Sequence, residues 1–110
     1  MKVFYSVEIQ MCGTYEVEGR IMESASHLLG FGKNDIEDQE THSVSVIYAN
    51  EIKPSDMKAQ IRKFLVANPA VHYVDVMYRF EYAMCPDRFV IWKDGREQDY
   101  TGYISFREDR

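Results

Sequence analysis

The residues of this sequence whose types could support chemistry are three histidines and a group of tyrosines. His27, His42 and His72 lie far apart, and none belongs to a close pair such as His-x-x-x-His, which zinc sites usually contain. Only His72 falls on a predicted inner strand face, which also carries three tyrosines: Tyr78, Tyr82 and Tyr100. One hypothesis is therefore a small enzyme or ligand-binding domain with His72 as acid or base. The simpler interpretation is that the tyrosines fill the core and reach water with their hydroxyl groups.

Other candidate motifs fail on spacing. The run GFGK at 30–33 resembles part of a phosphate loop, but the full motif would need glycine at His27 and serine or threonine at Asn34. The acidic stretch 35–40 lacks the alternating oxygen ligands and central glycine of a calcium loop. No Gly-x-Ser-x-Gly, His-Glu-x-x-His or dinucleotide-binding pattern occurs. The sequence therefore predicts no catalytic residue, no metal site and no cofactor.

The C-terminal third is rich in residue types that dominate protein interfaces. Trp92 is the single tryptophan, and strand alternation places it on the outer face of a β-ribbon, opposite Arg79. The two side chains are predicted to form a cation–π pair. Met77 and Tyr103 are expected on the same face, and these four residue types are enriched at interface cores and hot spots. The favoured hypothesis is a non-catalytic domain that binds a protein partner, or itself as a homo-oligomer, through this face. The alternative is that the N-terminal hairpin covers the face within the monomer.

The charge balance gives a third hypothesis. The chain has 18 acidic against 13 basic residues and a formal net charge of -5, which disfavours direct binding to nucleic acid phosphates. Acidic side chains are predicted on the first hairpin and on the loop at 30–42: Glu8, Glu16, Glu18, Asp35, Glu37 and Asp38. Such a surface would suit an acidic inhibitor that occupies the basic groove of a nucleic-acid-binding protein.

The elements that position these side chains begin with a predicted hairpin. Residues 2–11 and 15–21 both alternate apolar and polar side chains, and a loop over 12–14 would align their apolar faces. This register sets Glu8 opposite Glu18, at a small electrostatic cost.

A helix and a third strand follow, separated by a polar loop. The segment 22–29 is compatible with a short helix that ends at Gly30, and residues 30–42 are predicted to form an exposed loop. Residues 43–52 read as a strand with three apolar side chains on one face: Val44, Val46 and Tyr48.

The clearest helix spans about 55–68. Pro54 suits its start, and Asn68 followed by proline suits its end. Its apolar residues recur at helical spacing and form one stripe: Met57, Ile61, Phe64 and Leu65. Burial of this stripe against a sheet is the expected arrangement.

The C-terminal third is predicted to be a β-meander. Matching apolar faces pairs Phe80 with Ile91 across a loop at 84–87. Asp94 and Gly95 then favour a two-residue turn that pairs Phe89 with Tyr100 and places Tyr100, Ile104 and Phe106 on the inner face.

Taken together, the patterns predict one α+β domain over 1–110, with a mostly antiparallel sheet of five to six strands and the main helix packed on one face. No segment approaches the roughly 18 apolar residues of a membrane span. Cys12 and Cys85 make no disulfide framework, and residues 1–11 alternate unlike a signal peptide. We therefore expect a cytoplasmic protein with no membrane partner.

Overall fold

The computed structural model of this protein describes residues 1–100. In this part of the chain six strands and two helices follow one another: β1 (Val3–Met11), α1 (Gly19–Leu29), β2 (Ile36–Gln39), β3 (Ser43–Asn50), α2 (Pro54–Ala67), β4 (Val71–Phe80), β5 (Asp87–Trp92) and β6 (Glu97–Tyr100). A single 3₁₀ turn, Lys33–Asp35, precedes β2.

The strands form one antiparallel sheet in the order β2-β3-β1-β4-β5-β6. The first four strands and the two helices follow the β-α-β-β-α-β arrangement of ferredoxin-like domains, and the β5–β6 hairpin extends this unit beyond β4. The predicted α+β class is confirmed, with an antiparallel sheet, a main helix packed on one face and a second helix.

The core lies between the helices and one face of the sheet. Alternate residues of β1 are buried because successive side chains of a strand point to opposite faces. The predicted stripe of α2 is buried: Met57, Ile61, Phe64 and Leu65. The buried residues of α1 recur every four positions and so share one side of the helix: Ile21, Ala25 and Leu29. Neither described helix is long and apolar enough to cross a membrane.

The predicted N-terminal hairpin is wrong. β1 has β3 on one side and β4 on the other, so it has no free edge for a hairpin partner. The backbone N–H of Val17 donates instead to the carbonyl of Thr41 at 2.9 Å, and α1 begins at Gly19. The alternation over 15–21 is too short to exclude a helix, and Ile21 belongs equally to the four-residue repeat of α1.

The predicted loop over 30–42 contains the edge strand β2. Gly30 ends α1 as predicted, with a φ of 80°. A Cβ at this position would lie 2.8 Å from Nδ2 of Asn50, so both backbone angle and space favour glycine. Sequence alternation does not reveal β2, because the strand has only four residues and its register with β3 shifts between Ile36 and Asp38.

The meander is present, but the predicted β4–β5 register is wrong. Ile91 pairs with Val74 instead of Phe80, a displacement of six residues. The last β4–β5 pair joins Tyr78 to Asp87, so the connection is longer than the predicted loop at 84–87. Since six is an even number, the inner and outer faces of both strands are nevertheless assigned correctly.

The β5–β6 register differs by one residue. Phe89 pairs with Asp99 instead of Tyr100, because the turn has three residues, with Gly95 at a φ of 90°. The backbone N–H of Trp92 donates to the carbonyl of Arg96 at 2.9 Å and closes this turn. A shift of one residue reverses the faces of β6. Tyr100 therefore pairs with Arg88 on the outer face, while Ile104 and Phe106 lie outside the described residues.

Candidate functional site

Neither helix covers the second face of the sheet within residues 1–100, and we call it the open face. Its residues alternate with the core residues along the central strands, and one of them, Val90 on β5, is itself buried. They are Phe4, Ser6, Glu8 and Gln10 on β1, Ser43, Ser45, Ile47 and Ala49 on β3, Tyr73, Asp75, Met77 and Arg79 on β4, and Arg88, Val90 and Trp92 on β5. A solvated sheet face is usually polar, whereas this one mixes charged with large apolar and aromatic side chains.

An apolar groove crosses one end of the open face. Its volume is about 390 Å³, and its lining includes Phe4, Ile47, Met77, Met84 and Pro86. The exposed fractions of Phe4, Ile47 and Met84 are 38%, 50% and 93%. Isolated exposed apolar residues are common, but a contiguous group of them is typical of a contact surface.

Arg79 shapes one wall of the apolar groove. Its guanidinium carbon lies 4.8 Å from the centre of the Phe4 ring. Its Nη1 donates to the carbonyl oxygens of Ala83 at 3.2 Å and Glu81 at 3.5 Å. Arg79 thus holds the β4–β5 loop, which carries Met84, against the sheet.

An ion pair occupies the middle of the open face. Nε and Nη2 of Arg88 donate to the two carboxylate oxygens of Asp75 at 2.9 and 2.8 Å, a bidentate arrangement. This hydrogen bonding raises the pKa of Arg88. The guanidinium carbon also lies 4.7 Å from the centre of the Tyr100 ring. Because it is held from two sides, Arg88 presents a fixed rather than a mobile charge.

Glu8 belongs to an acidic row across the open face. Successive register partners along this row are Asp38, Ser45, Glu8 and Asp75. Burial raises the pKa of Glu8, and the carboxylates of Asp75 and Glu40 raise it further, while Arg88 opposes them. The row separates the apolar groove from the aromatic end of the face.

The aromatic end is built on Tyr73 and Trp92. These two residues are register partners in β4 and β5, and their ring centres are 6.5 Å apart. The guanidinium carbon of Arg96 lies 4.5 Å from the centre of the indole, and Nε of Arg96 donates to Asp94 at 2.9 Å. Trp92 therefore has a cation–π partner from the neighbouring turn.

Three of the four predicted partner-binding residues are on the open face, but they do not form one cluster. Arg79 pairs with Phe4 at one end of the sheet, whereas Trp92 pairs with Tyr73 at the other, so the predicted Arg79–Trp92 pair is wrong. The six-residue displacement of the β4–β5 register is the reason. Met77 lines the apolar groove. Tyr103 lies outside the described residues.

The predicted acidic surface is divided. Glu8 does not lie opposite Glu18; its neighbours are Ser45 and Asp75. Glu16 and Glu18 precede α1, and Glu18 accepts a hydrogen bond from Nε of Arg20 at 3.5 Å. The other acidic residues lie in the segment that forms the sheet edge: Asp35 in the 3₁₀ turn, and Glu37 and Asp38 in β2.

The predicted pocket residues do not converge. His72 is exposed at the start of β4, where the register with β1 shifts. Tyr78 is partly buried near the other end of β4, with its ring centre 5.9 Å from that of Phe89. Tyr82 is 85% exposed in the β4–β5 loop, and Tyr100 lies on the open face beside Arg88. These four side chains therefore do not line a common cavity.

The described part of the chain contains no group of three or more histidine, cysteine, aspartate and glutamate side chains placed to hold a metal ion. Cys12 and Cys85 are free thiols, the first partly buried and the second exposed. No family model, curated protein or solved structure matches this chain.

Sequence reasoning missed three features of the open face, and two of them left a signal. Ile47 lies between the core residues Val46 and Tyr48, so strand alternation places it outside. Asp75 and Arg88 have opposite charges on consecutive strands of a meander, which is a register signal. The contribution of Met84 had no such signal, because its position depends on the path of a loop.

Proposed function

We propose that this protein is a non-catalytic interaction domain that associates with a second copy of itself through the open face. The observation that carries the proposal is the exposed apolar groove around Phe4, Ile47 and Met84. Burial of apolar area favours association by roughly 25 cal/mol per Å², before the cost of lost freedom is subtracted. The rigid Arg88 and the aromatic end add residue types that are enriched at interface cores.

A second copy is the favoured occupant because the open face carries both signs of charge. In a two-fold symmetric contact, a residue away from the axis meets a different residue of the other copy. The acidic row at Glu8 and Asp38 can then face cationic side chains such as Arg79 and Arg96. The distribution of charge on the open face is thus compatible with a self-complementary contact.

The experiment that tests this proposal is sedimentation velocity on matched substitutions. Ile47→Lys places a charge in the apolar groove and is expected to raise the dimer dissociation constant at least about tenfold, or about 1.4 kcal/mol. Val66→Lys is the matched control, because Val66 is 83% exposed on α2, in the helical layer, and the change in charge is the same. A reducing agent is included because Cys85 is exposed.

The expected pattern is dimeric wild type, dimeric Val66→Lys and monomeric Ile47→Lys. Trp92→Ala tests the aromatic end in the same series and is expected to weaken the dimer less, since Trp92 already contacts Arg96 and Tyr73 within its own chain. A wild type that stays monomeric over the whole concentration series contradicts the proposal, as does equal weakening by the two lysine variants.

The second candidate function is an acidic inhibitor of a nucleic-acid-binding protein. The observation in its favour is the acidic row, in which the carboxylates of Glu8 and Asp38 lie on one face with Glu40 near Glu8. Binding of this kind is steered by charge and weakens steeply with salt. Self-association through an apolar groove is not expected to weaken steeply with salt. The salt dependence of binding therefore distinguishes the two candidate functions.

A further inference from the structure

A second groove lies at the edge of the sheet, between α1 and β2. Its volume is about 510 Å³. Its apolar lining comes from Met22 on α1, Phe31 after α1 and Ile36 on β2. Its polar lining is Glu23, Ser26, His27, Gly32, Lys33 and Gln39. No residue of the groove lining belongs to the open face, but Asp38 of the neighbouring strand β2 also belongs to the acidic row of that face.

Within residues 1–100, the strand that borders this groove has one unpaired edge. β2 pairs with β3 and is the terminal strand of the sheet formed by residues 1–100. Such an edge presents a row of backbone N–H and C=O groups that can pair with an added strand. An edge strand beside a groove is the arrangement in which a peptide adds to a sheet, since its backbone pairs with the edge and alternate side chains enter the groove.

The charges along this edge select among incoming strands. The segment 33–40 carries four carboxylates and one ammonium group: Asp35, Glu37, Asp38, Glu40 and Lys33. Glu37 and Asp38 lie in the edge strand itself, and Glu23 lies on the α1 side of the groove. Two copies joined through β2 would bring these carboxylates together, which disfavours a second copy as the added strand.

We propose that β2 and the α1–β2 groove bind an extended peptide with alternating apolar and basic side chains, by strand addition. The apolar side chains of the peptide enter the groove over Met22, Phe31 and Ile36. Its basic side chains point the other way along the added strand, toward Glu37 and Asp38. Lys33 repels basic side chains of the peptide at the end of the groove that precedes β2. The basic side chains are therefore expected to lie toward the C-terminal end of β2.

The test uses a short, end-blocked peptide of alternating lysine and leucine, added to the full-length ¹⁵N-labelled protein. We expect amide shifts at residues 36–39 and in α1 around Met22 and His27, together with slower hydrogen exchange of outward-facing β2 amides. A peptide with glutamate in place of lysine, and one with N-methyl groups on alternate amides, are each expected to bind at least about tenfold more weakly.

The matched protein variants are Glu37→Lys with Asp38→Lys, and Glu16→Lys with Glu51→Lys. Both pairs change the net charge equally, but Glu16 and Glu51 lie outside the groove and β2. We expect the first pair to weaken binding about tenfold and the second pair less than about twofold. Amide spectra of the free variants establish that each is folded.

Three outcomes overturn the proposal. The first is the absence of shifts at β2 at millimolar peptide. The second is binding that the N-methyl groups leave unchanged, because charge attraction alone would then explain it. The third is a set of shifts confined to the open face around Ile47 and Met77.

Discussion

At the residue scale, Glu8 carries a carboxylate that its surroundings make harder to ionise. Burial raises its pKa, and Asp75 beside it raises the pKa further. The folded protein therefore binds a proton at Glu8 more readily than the unfolded chain. The ionised carboxylate lowers the free energy of unfolding at pH above the raised pKa, and this effect disappears as the pH falls below about 4.3, the ordinary value for glutamate.

We predict that Glu8→Gln stabilises the protein at pH 7 by less than about 1 kcal/mol, since the side chain is partly exposed. Near pH 4 most of the gain is expected to be lost, because the carboxyl group is then largely protonated in both states. Urea unfolding at both pH values, at low protein concentration, measures the difference. Glu51→Gln, at an exposed position, is the control. A variant no more stable than this control at pH 7 would contradict the prediction.

At the element scale, α2 and β6 are joined by an ion cluster. Nζ of Lys58 lies 2.9 Å from Oε2 of Glu97 and 2.6 Å from Oδ1 of Asp99, and Arg62 also donates to Glu97. The hydrogen bond from Lys58 lowers the pKa of Asp99. The stability that this carboxylate contributes is therefore present above its ordinary pKa of about 3.9 and is lost as the pH falls through the lowered value.

We predict that Lys58→Met loosens β6 without unfolding the domain. Amide hydrogen exchange over Glu97–Tyr100 is expected to become about two- to fivefold faster, because exposed ion pairs contribute at most about 1 kcal/mol each. The corresponding change at exposed Lys63, on the same helix, is the control. Exchange rates in β6 that are equal in the two variants would show that the cluster does not hold this strand.

The strands β4, β5 and β6 show what the sequence can and cannot specify about a sheet. Alternation identifies the two faces of β4 and β5 correctly, because Val74, Val76, Phe89 and Ile91 are all buried. It does not fix which residues pair, since every even displacement aligns the same faces equally well. The β5–β6 displacement of one residue came from the turn, where Gly95 supports either a two- or a three-residue loop.

At the scale of the whole molecule, the net charge of -5 makes two copies repel each other. Salt screens this repulsion between charges that are farther apart than the Debye length, which is about 10 Å at 0.1 M. We predict that the proposed dimer is unchanged or tightened when NaCl is raised from about 0.05 to about 0.5 M. Sedimentation velocity over this range measures it. Steep weakening with salt would instead favour a contact dominated by opposite charges, as in the inhibitor hypothesis.

The class of the fold was predictable from the sequence, whereas its topology was not. The stripe at Met57, Ile61 and Phe64 identifies α2, and alternation identifies β1 and β3. Pairing of β1 with both β3 and β4 is a non-local choice that short-range patterns do not contain. For the candidate site, strand alternation alone assigns Met77, Arg79 and Trp92 to the outer face of the sheet. The two grooves depend on loops and strand order, which alternation does not contain.

The central place of β1 has a consequence for synthesis of the chain. β1 is translated before the other five described strands but lies inside the sheet, between strands that begin at Ser43 and Val71. While the polypeptide emerges from the ribosome, both edges of β1 remain unpaired until β3 and β4 have been synthesised. Nascent chains that stop before β4 are thus expected to depend on chaperones, and slow loop closure makes this waiting period the step most exposed to aggregation.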